Sequence, residues 1–206
     1  TQIVEVSWQQ RHLPQKQLYE AVTEYVRVGY NRACKEKKSY IGFLMILFQR
    51  LVSSSTDAIA DALARRIHIL EEQKDRLSVA DLSSVLEDET EESLQAALQA
   101  MSMDMMQEKA QLDAILSLAR QAKQHGLDAK MEELSHLLVQ IREHDAEAKI
   151  ILFTEFVATQ KGLSTLCKSK GFSTTQINGA MSLEERNASL RLFRKERDIL
   201  ISTDAG

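Results

Sequence analysis

The chain has 206 residues, of which 44% are hydrophobic and 27% are charged, and its formal net charge is −4. This composition is typical of a globular protein and argues against a strongly basic nucleic-acid-binding domain. One proline and seven glycines favour a mostly helical fold over a turn-rich β fold. No stretch reaches the roughly 18 to 20 uncharged apolar residues that span a bilayer, so we expect a cytoplasmic protein without a membrane partner.

Residues 1–146 carry the three- and four-residue apolar spacing of amphipathic helices. Pro14 suits the first turn of a helix, Ser53–Asp57 supplies N-capping side chains, and Gly126 suits a helix end. The predicted elements, in chain order, are a strand over 1–8, helices over 14–37 and 41–52, a helix from the 53–57 cluster to about 74, an exposed acidic loop over 76–92, and helices over 94–125 and 131–141. We therefore predict a helical bundle or protrusion over residues 1–146.

The apolar pattern changes near Ala146. The three predicted strands are residues 149–154, 174–177 and 199–201. One helix between them is closed by Gly171, and another is opened by a capping box of Ser182 and Glu185. Alternating strands and helices predict a parallel sheet with right-handed crossovers over residues 147–206. Because the chain stops directly after the third strand, we expect a fragment whose α/β domain is truncated.

Small and polar residues follow each predicted strand. In an open parallel sheet, ligands bind at the carboxyl ends of the strands, where loops and helix N-termini present backbone amides. The candidate residues are Thr154, Glu155 and Phe156 after the first strand, Asn178 and Gly179 after the second, and Ser202, Thr203, Asp204, Ala205 and Gly206 after the third. These loops suit a phosphate ligand, although capping and turn formation alone explain the same residues equally well.

The order of these landmarks resembles the C-terminal motor domain of Swi/Snf-type ATP-dependent DNA translocases, a group within helicase superfamily 2. Ile150–Phe156 resembles that family's fourth motif, and Ile199–Gly206 resembles the opening of its fifth. Asn178–Gly179 stands where relatives usually carry Asp-Gly, and Glu185–Arg186 follows as in the family. The resemblance covers about 60 residues and implies a RecA-like fold of the P-loop NTPase type.

The resemblance implies contacts to the DNA backbone that do not read sequence. It carries them onto Thr154, Thr203 and the amides near Gly206, together with the neighbouring candidate residues of the same loops. Arg186 either supports this site electrostatically or forms a surface ion pair with neighbouring acidic residues. The resemblance does not distinguish the two roles.

The resemblance also implies ATP and Mg²⁺ as cofactors of the parent protein. The sequence contains no G-x-x-x-x-G-K-[ST] phosphate loop and no Asp-Glu pair after a strand. Those parts would belong to a missing N-terminal RecA-like domain, and the arginine finger of the sixth motif would lie beyond Gly206. We therefore predict that the fragment alone binds no cofactor or metal, contains no catalytic residue and hydrolyses no ATP.

Residues 10–75 also resemble the helical segment that follows the first motor domain in bacterial and archaeal relatives. The likeness lies in Leu18–Tyr19, Tyr25–Val26 and the block from 42 to 50. We expect the helices from Pro14 to about Ala146 to join and couple the two motor lobes, and their apolar faces to favour dimerisation of the isolated fragment. In a bacterium or archaeon the parent would be nucleoid-associated. The alternatives are a helical protein-interaction module with a catalytically silent α/β domain, and an unrelated nucleotide or cofactor enzyme.

Overall fold

The computed structural model describes residues 3–36, 39–72, 105–126 and 128–203. Backbone contacts divide the chain into two compact units. The helical unit is Gln10–Gly126, and the α/β unit is Leu127–Gly206 together with Thr1–Gln9. Within the described ranges, no helix combines the length and the apolar character that a bilayer crossing requires.

The described part of the helical unit is a four-helix bundle. After a short 3₁₀ turn at Gln10–His12, the helices are α1 (Leu13–Glu36), α2 (Ser39–Ser54), α3 (Thr56–Glu72) and α4 (Met105–Gln124). Helix α1 packs against α2 and α4, and α3 packs against the same two helices. Each helix therefore has two neighbours, as expected for a bundle closed around one core. The predicted helical bundle is confirmed over the described residues.

The core of the bundle contains large apolar side chains from all four helices. Those that are almost fully buried are Leu18, Val22, Met45, Leu51, Ile59, Leu63 and Leu112. Helices α1 and α2 approach closely at Gly29, where a Cβ atom would overlap the Met45 sulphur. Glycine at this position removes the side chain that would otherwise hold the two helices apart.

The strand predicted over residues 1–8 is wrong, because residues 3–9 form no strand or helix. Alternating apolar residues stabilise a strand only when a neighbouring strand supplies the hydrogen bonds, and Ile3 is 88% exposed. The loop predicted over 76–92 and the first part of the helix predicted over 94–125 lie outside the described residues. The described remainder of that helix is α4, and Gly126 follows it with a positive φ of 118°.

The α/β unit alternates helices and strands. Its elements are α5 (Ala129–His144), β1 (Ile150–Thr154), α6 (Val157–Ser169), β2 (Thr174–Ile177), α7 (Leu183–Glu196) and β3 (Ile199–Thr203). The strands form a parallel sheet in the order β1-β3-β2. The central strand β3 is buried along its whole length, as expected for a parallel strand covered on both faces. The predicted three-stranded parallel sheet with flanking helices is confirmed.

Each face of this sheet has its own apolar core. On one face, Ile199 and Ile201 of β3 pack in a cluster with residues of α5 and α6, including Leu138 and Leu163. On the other face, Leu200 packs with Ile177 of β2 and Phe193 of α7. Helix α5 thus shares a core with the sheet. The domain division predicted between residues 146 and 147 stays a prediction, and it differs from the observed division in residues 127–146, which include this helix, and in Thr1–Gln9.

A polar cluster ties α5 to the amino ends of the strands. The Asp198 Oδ2 atom accepts hydrogen bonds from the Ser173 backbone amide at 2.7 Å and from its hydroxyl at 2.9 Å. The Arg142 Nη2 atom lies 3.2 Å from the same oxygen, and the guanidinium stacks over the Phe172 ring at 3.6 Å. Burial opposes ionisation of Asp198, but the bonds from Ser173 and the charges of Arg142 and Lys149 outweigh it and lower the pKa of this carboxyl.

This lowered pKa predicts how acid destabilises the α/β unit. A carboxyl with a depressed folded-state pKa stabilises the fold above its unfolded-state pKa, and that contribution is lost as the pH falls through the folded-state value. We therefore expect Asp198→Asn to be less stable than wild type at pH 7 by about 1 kcal/mol. The difference should shrink as the pH falls below about 4. Urea unfolding at several pH values measures this, and Glu143→Gln on the exposed face of α5 is the control. A pH-independent difference would contradict the prediction.

Candidate functional site

The three loops at the carboxyl ends of the strands lie along one edge of the sheet. Thr154 at the end of β1 is the direct register partner of Thr203 at the end of β3. Ile177, the last residue of β2, pairs with Ser202. The expectation that Thr154, Gly179 and Thr203 share one edge is therefore confirmed. We call this edge, with the loops that follow its three strands, the carboxyl edge.

Thr203 ends the central strand with an unsatisfied hydroxyl. Its side chain is 2% exposed, and its Oγ1 atom has no hydrogen-bond partner among the described residues. The neighbouring Ser202 hydroxyl donates to the Thr203 carbonyl oxygen at 3.0 Å. A buried hydroxyl without a partner costs free energy, and a bound group that accepts or donates a hydrogen bond would recover it. Of the predicted site residues after β3, Asp204, Ala205 and Gly206 lie outside the described residues.

The loop after β1 leads directly into α6. Thr154 is half-buried and Glu155 is exposed. Phe156 is only 4% exposed, so its side chain belongs to the interior. If Phe156 binds a ligand as predicted, it does so through its backbone alone. Phe156 is also the N-cap of α6 and provides no side-chain hydrogen bond to the first turn. The N-terminal dipole of this helix therefore lies at the carboxyl edge.

The loop after β2 is a tight turn. The Met181 amide donates to the Asn178 carbonyl at 3.2 Å. The half-buried Arg186 holds this turn from α7, because its Nη2 donates to the Gly179 carbonyl at 3.2 Å and its Nε donates to the Met181 carbonyl at 3.1 Å. These bonds are to backbone, so neither of the two roles predicted for Arg186 describes its contacts fully. Its charge nevertheless lies beside Gly179 at the carboxyl edge.

The predicted capping box at the start of α7 is present. The Ser182 hydroxyl accepts from the Glu185 amide, and the Glu185 carboxylate accepts from the Ser182 amide at 2.7 Å. The hydrogen bond from the Ser182 backbone amide, together with the nearby Ser182 side chain, lowers the pKa of the Glu185 carboxyl. The N-cap residue of α7 therefore provides a side-chain hydrogen bond to its helix, whereas the N-cap residue of α6, Phe156, provides none.

The structure adds Gln160, a residue that sequence reasoning missed. Gln160 is fully buried in the first turns of α6. Its Nε2 atom donates to the Ile177 carbonyl at 2.8 Å and to the Ile201 carbonyl at 2.9 Å, and its Oε1 accepts from Asn178 Nδ2 at 3.2 Å. One signal could have identified it. Gln160 shares the helical stripe of Leu163 and Cys167, so the apolar spacing already placed a polar side chain toward the sheet.

Nothing in the described part of the α/β unit suggests a metal centre. Across the described residues, no three His, Cys, Asp or Glu side chains are grouped closely enough to hold a metal ion. Cys167 is buried, and burial raises the pKa of its thiol to about 11. A thiol of that kind is a packing group rather than a nucleophile. What the carboxyl edge offers instead is hydroxyls, backbone amides and one guanidinium, which suit hydrogen bonding to an anionic backbone.

Part of the chain matches a known protein family. Residues 129–206 match the family model described as helicase conserved C-terminal domain. The match begins at the first residue of α5 and therefore includes all three strands of the sheet. No curated protein sequence gives a significant match to the chain.

Two solved structures are similar over almost the whole chain. The Pyrococcus furiosus Hef helicase domain is 21% identical, with a TM-score of 0.52 over 98% of this chain and 45% of that one. The C-terminal part of the Fun30 ATPase domain is 17% identical, with a TM-score of 0.44 over 98% of this chain and 67% of that one. The chain thus spans less than half of the Hef structure. The likeness to Hef shows the fold, which is consistent with a RecA-like lobe.

Proposed function

We propose that this chain, whose residues 129–206 match the model of the helicase conserved C-terminal domain, is part of an ATP-dependent DNA translocase of the Swi/Snf type. In this proposal the α/β unit is the first half of the second motor lobe. Its carboxyl edge grips the nucleic-acid backbone without reading sequence. The observation that carries the proposal is the placement of Thr154, Gly179 and Thr203 along one edge.

The chemistry of that edge supports a phosphate ligand. Thr203 has a buried hydroxyl with no partner among the described residues, and Thr154 is its register neighbour. Beside them lies the N-terminus of α6, whose N-cap residue Phe156 makes no side-chain hydrogen bond to the first turn, and helix N-termini favour anions. Arg186 adds a positive charge beside Gly179. Hydroxyls, amides and one guanidinium together bind a phosphodiester backbone and leave the base edges unread.

The motor chemistry itself requires parts that this sequence lacks. It has no G-x-x-x-x-G-K-[ST] phosphate loop, and no Asp-Glu pair directly follows a strand among the residues that the structure describes. We propose that the parent protein binds ATP and Mg²⁺ with an N-terminal RecA-like domain, and that this domain is the principal partner of the chain. The chain alone should therefore hydrolyse no ATP.

The helical unit, in the same proposal, links and braces the two motor lobes. Its four described helices bury a continuous apolar core, and a stiff bundle of this kind can transmit a rotation of one lobe to the other. The unit has no proposed catalytic role. We also propose that the isolated chain dimerises, and that the parent works in the cytoplasm on DNA.

Nucleic-acid stimulation of ATP hydrolysis tests the proposal. The steady-state ATPase rate of the intact parent should be measured without nucleic acid and with duplex DNA, single-stranded DNA and RNA. We expect duplex DNA to raise the rate about tenfold or more, and the isolated chain to show no magnesium-dependent turnover. An ATPase rate that no nucleic acid changes would contradict the proposal and favour the protein-interaction module.

A further inference from the structure

We propose that Gln160 is the positioning residue of the carboxyl edge, a clamp that fixes the spacing of the β2 and β3 ends and the orientation of Asn178. The inference rests on the proposed function, since it concerns the same edge. Neither the sequence motifs nor the family match assigns Gln160 a role at this edge.

The side-chain amide of Gln160 can adopt one orientation only. The Ile177 and Ile201 carbonyls lie 2.8 and 2.9 Å from its nitrogen, and carbonyl oxygens only accept hydrogen bonds. Both amide hydrogens are therefore used, one on each strand. The Gln160 side chain is fully buried, so no water competes for these bonds. A single side chain thus joins α6 to the carboxyl ends of β2 and β3.

This fixed orientation determines that of Asn178. With its nitrogen committed to the two strands, Gln160 presents only its Oε1 to Asn178, and the Asn178 Nδ2 donates to it at 3.2 Å. The Asn178 Oδ1 then points away from Gln160, where it is buried without a partner among the described residues. The turn that begins at Asn178 carries Gly179, so the clamp also sets where that turn stands beside Thr203.

The clamp joins the loops that the proposed backbone site needs to keep together. Ile177 immediately precedes Asn178 on β2, and Ile201 stands two residues before Thr203 on β3. Loss of Gln160 removes one hydrogen bond from each of two buried carbonyl oxygens, which favours local opening between the strand ends. The separation of the two loops would then vary, and a backbone held by both would bind less tightly.

Substitution of Gln160 by Leu and by Glu tests the inference in the intact parent. Leu has a similar size but no donor. Glu has the same shape, and when ionised it turns only acceptors toward the two carbonyls. We expect both variants to bind duplex DNA about tenfold more weakly at pH 7.5, which corresponds to roughly 1.4 kcal/mol. The matched control is Gln140→Glu, which adds the same charge at an exposed position of α5.

The pH dependence separates positioning from a general loss of packing. A buried glutamate has a raised pKa, and once protonated it donates one hydrogen bond again. The affinity of the Gln160→Glu variant, relative to wild type at each pH, should therefore recover as the pH falls from 7.5 to about 5.5. The Gln160→Leu variant should show no such recovery. Wild-type affinity in both variants, or equal pH profiles for both, would overturn the inference.

Amide hydrogen exchange keeps this inference separate from the proposed function. In the absence of nucleic acid, the Gln160→Leu variant should exchange the Met181 amide at least about tenfold faster than wild type, because the turn opens locally. The amides of α5 should not change. If the wild-type parent binds no nucleic acid, the proposed function fails, and unchanged exchange at Met181 would still overturn the clamp. Should Gln160→Leu fail to fold, Asn178→Ala must reproduce the faster exchange.

Discussion

Substitution of Glu108 by Gln should destabilise the helical unit by about 3–5 kcal/mol, since it leaves the charge of Arg66 buried without its counter-ion. The Arg66 side chain is 4% exposed and that of Glu108 is 12% exposed. The guanidinium donates to both carboxylate oxygens, through Nε at 3.0 Å and Nη2 at 3.2 Å. Its Nη1 atom is buried without a partner among the described residues, so nothing described there replaces the carboxylate.

Tyr25 belongs to the same cluster. Its hydroxyl donates to Glu108 Oε1 at 3.1 Å, and its ring meets Phe48 edge-on at 5.8 Å. Burial and the neighbouring Glu108 charge raise the pKa of the Tyr25 phenol well above its ordinary value, although Arg66 acts in the opposite direction. The phenol therefore stays protonated and keeps donating. This cluster connects α1, α3 and α4 through one carboxylate.

Urea unfolding followed by far-UV circular dichroism measures the effect, with Asp113→Asn as the matched control. Asp113 lies on the same helix and forms an ion pair with Lys109 at 2.9 Å, but both side chains are at least 36% exposed. Exposed pairs of this kind contribute about 0.2–1 kcal/mol. An equally small loss from Glu108→Gln would show that the buried pair does not hold the helices together.

The Arg66 cluster was not predictable from the sequence, although the helices that carry it were. Apolar spacing located α1, α2 and α3 within a few residues of their observed ends, because that spacing reflects a buried helical face directly. The partner of Arg66 is 42 residues away along the chain. Its identity depends on how the helices pack, and no local pattern encodes that packing.

The carboxyl edge was predictable for a different reason. Parallel strands that alternate with helices must end on one edge. The alternation alone therefore placed Thr154 and Thr203 on the same edge of the sheet. The burial and the hydrogen-bond partners of each side chain could not be predicted in this way. Burial of Phe156, and the use of Arg186 to hold the turn at Gly179, depend on the three-dimensional path of the loops. Gln160 was not predicted as a site residue because glutamine in a helix is usually exposed.

The largest functional effect is expected from a double substitution, Thr154→Val and Thr203→Val. Valine keeps the shape of threonine and removes only the hydroxyl. The two hydroxyls end neighbouring strands in direct register. A hydrogen bond to a charged group is worth about 1.5–3 kcal/mol. Loss of two such bonds to phosphate should therefore weaken duplex DNA binding by the intact parent about 100-fold or more.

The matched control is Thr165→Val in α6. Its hydroxyl is exposed and donates to the Lys161 carbonyl at 3.2 Å within the same helix, away from the strand ends. The free energies of unfolding of the variants should lie within about 1 kcal/mol of wild type, because Thr203 Oγ1 has no partner to lose among the described residues. Any loss of affinity then reports on the hydroxyls themselves and not on the fold.

Equilibrium binding of a fluorescent duplex to the intact parent, at one fixed salt concentration, is the decisive measurement. We expect the Thr154→Val, Thr203→Val double variant to bind about 100-fold more weakly than wild type, while Thr165→Val binds as wild type does. Equal affinity of the double variant and wild type would mean that the ends of β1 and β3 do not touch the nucleic-acid backbone.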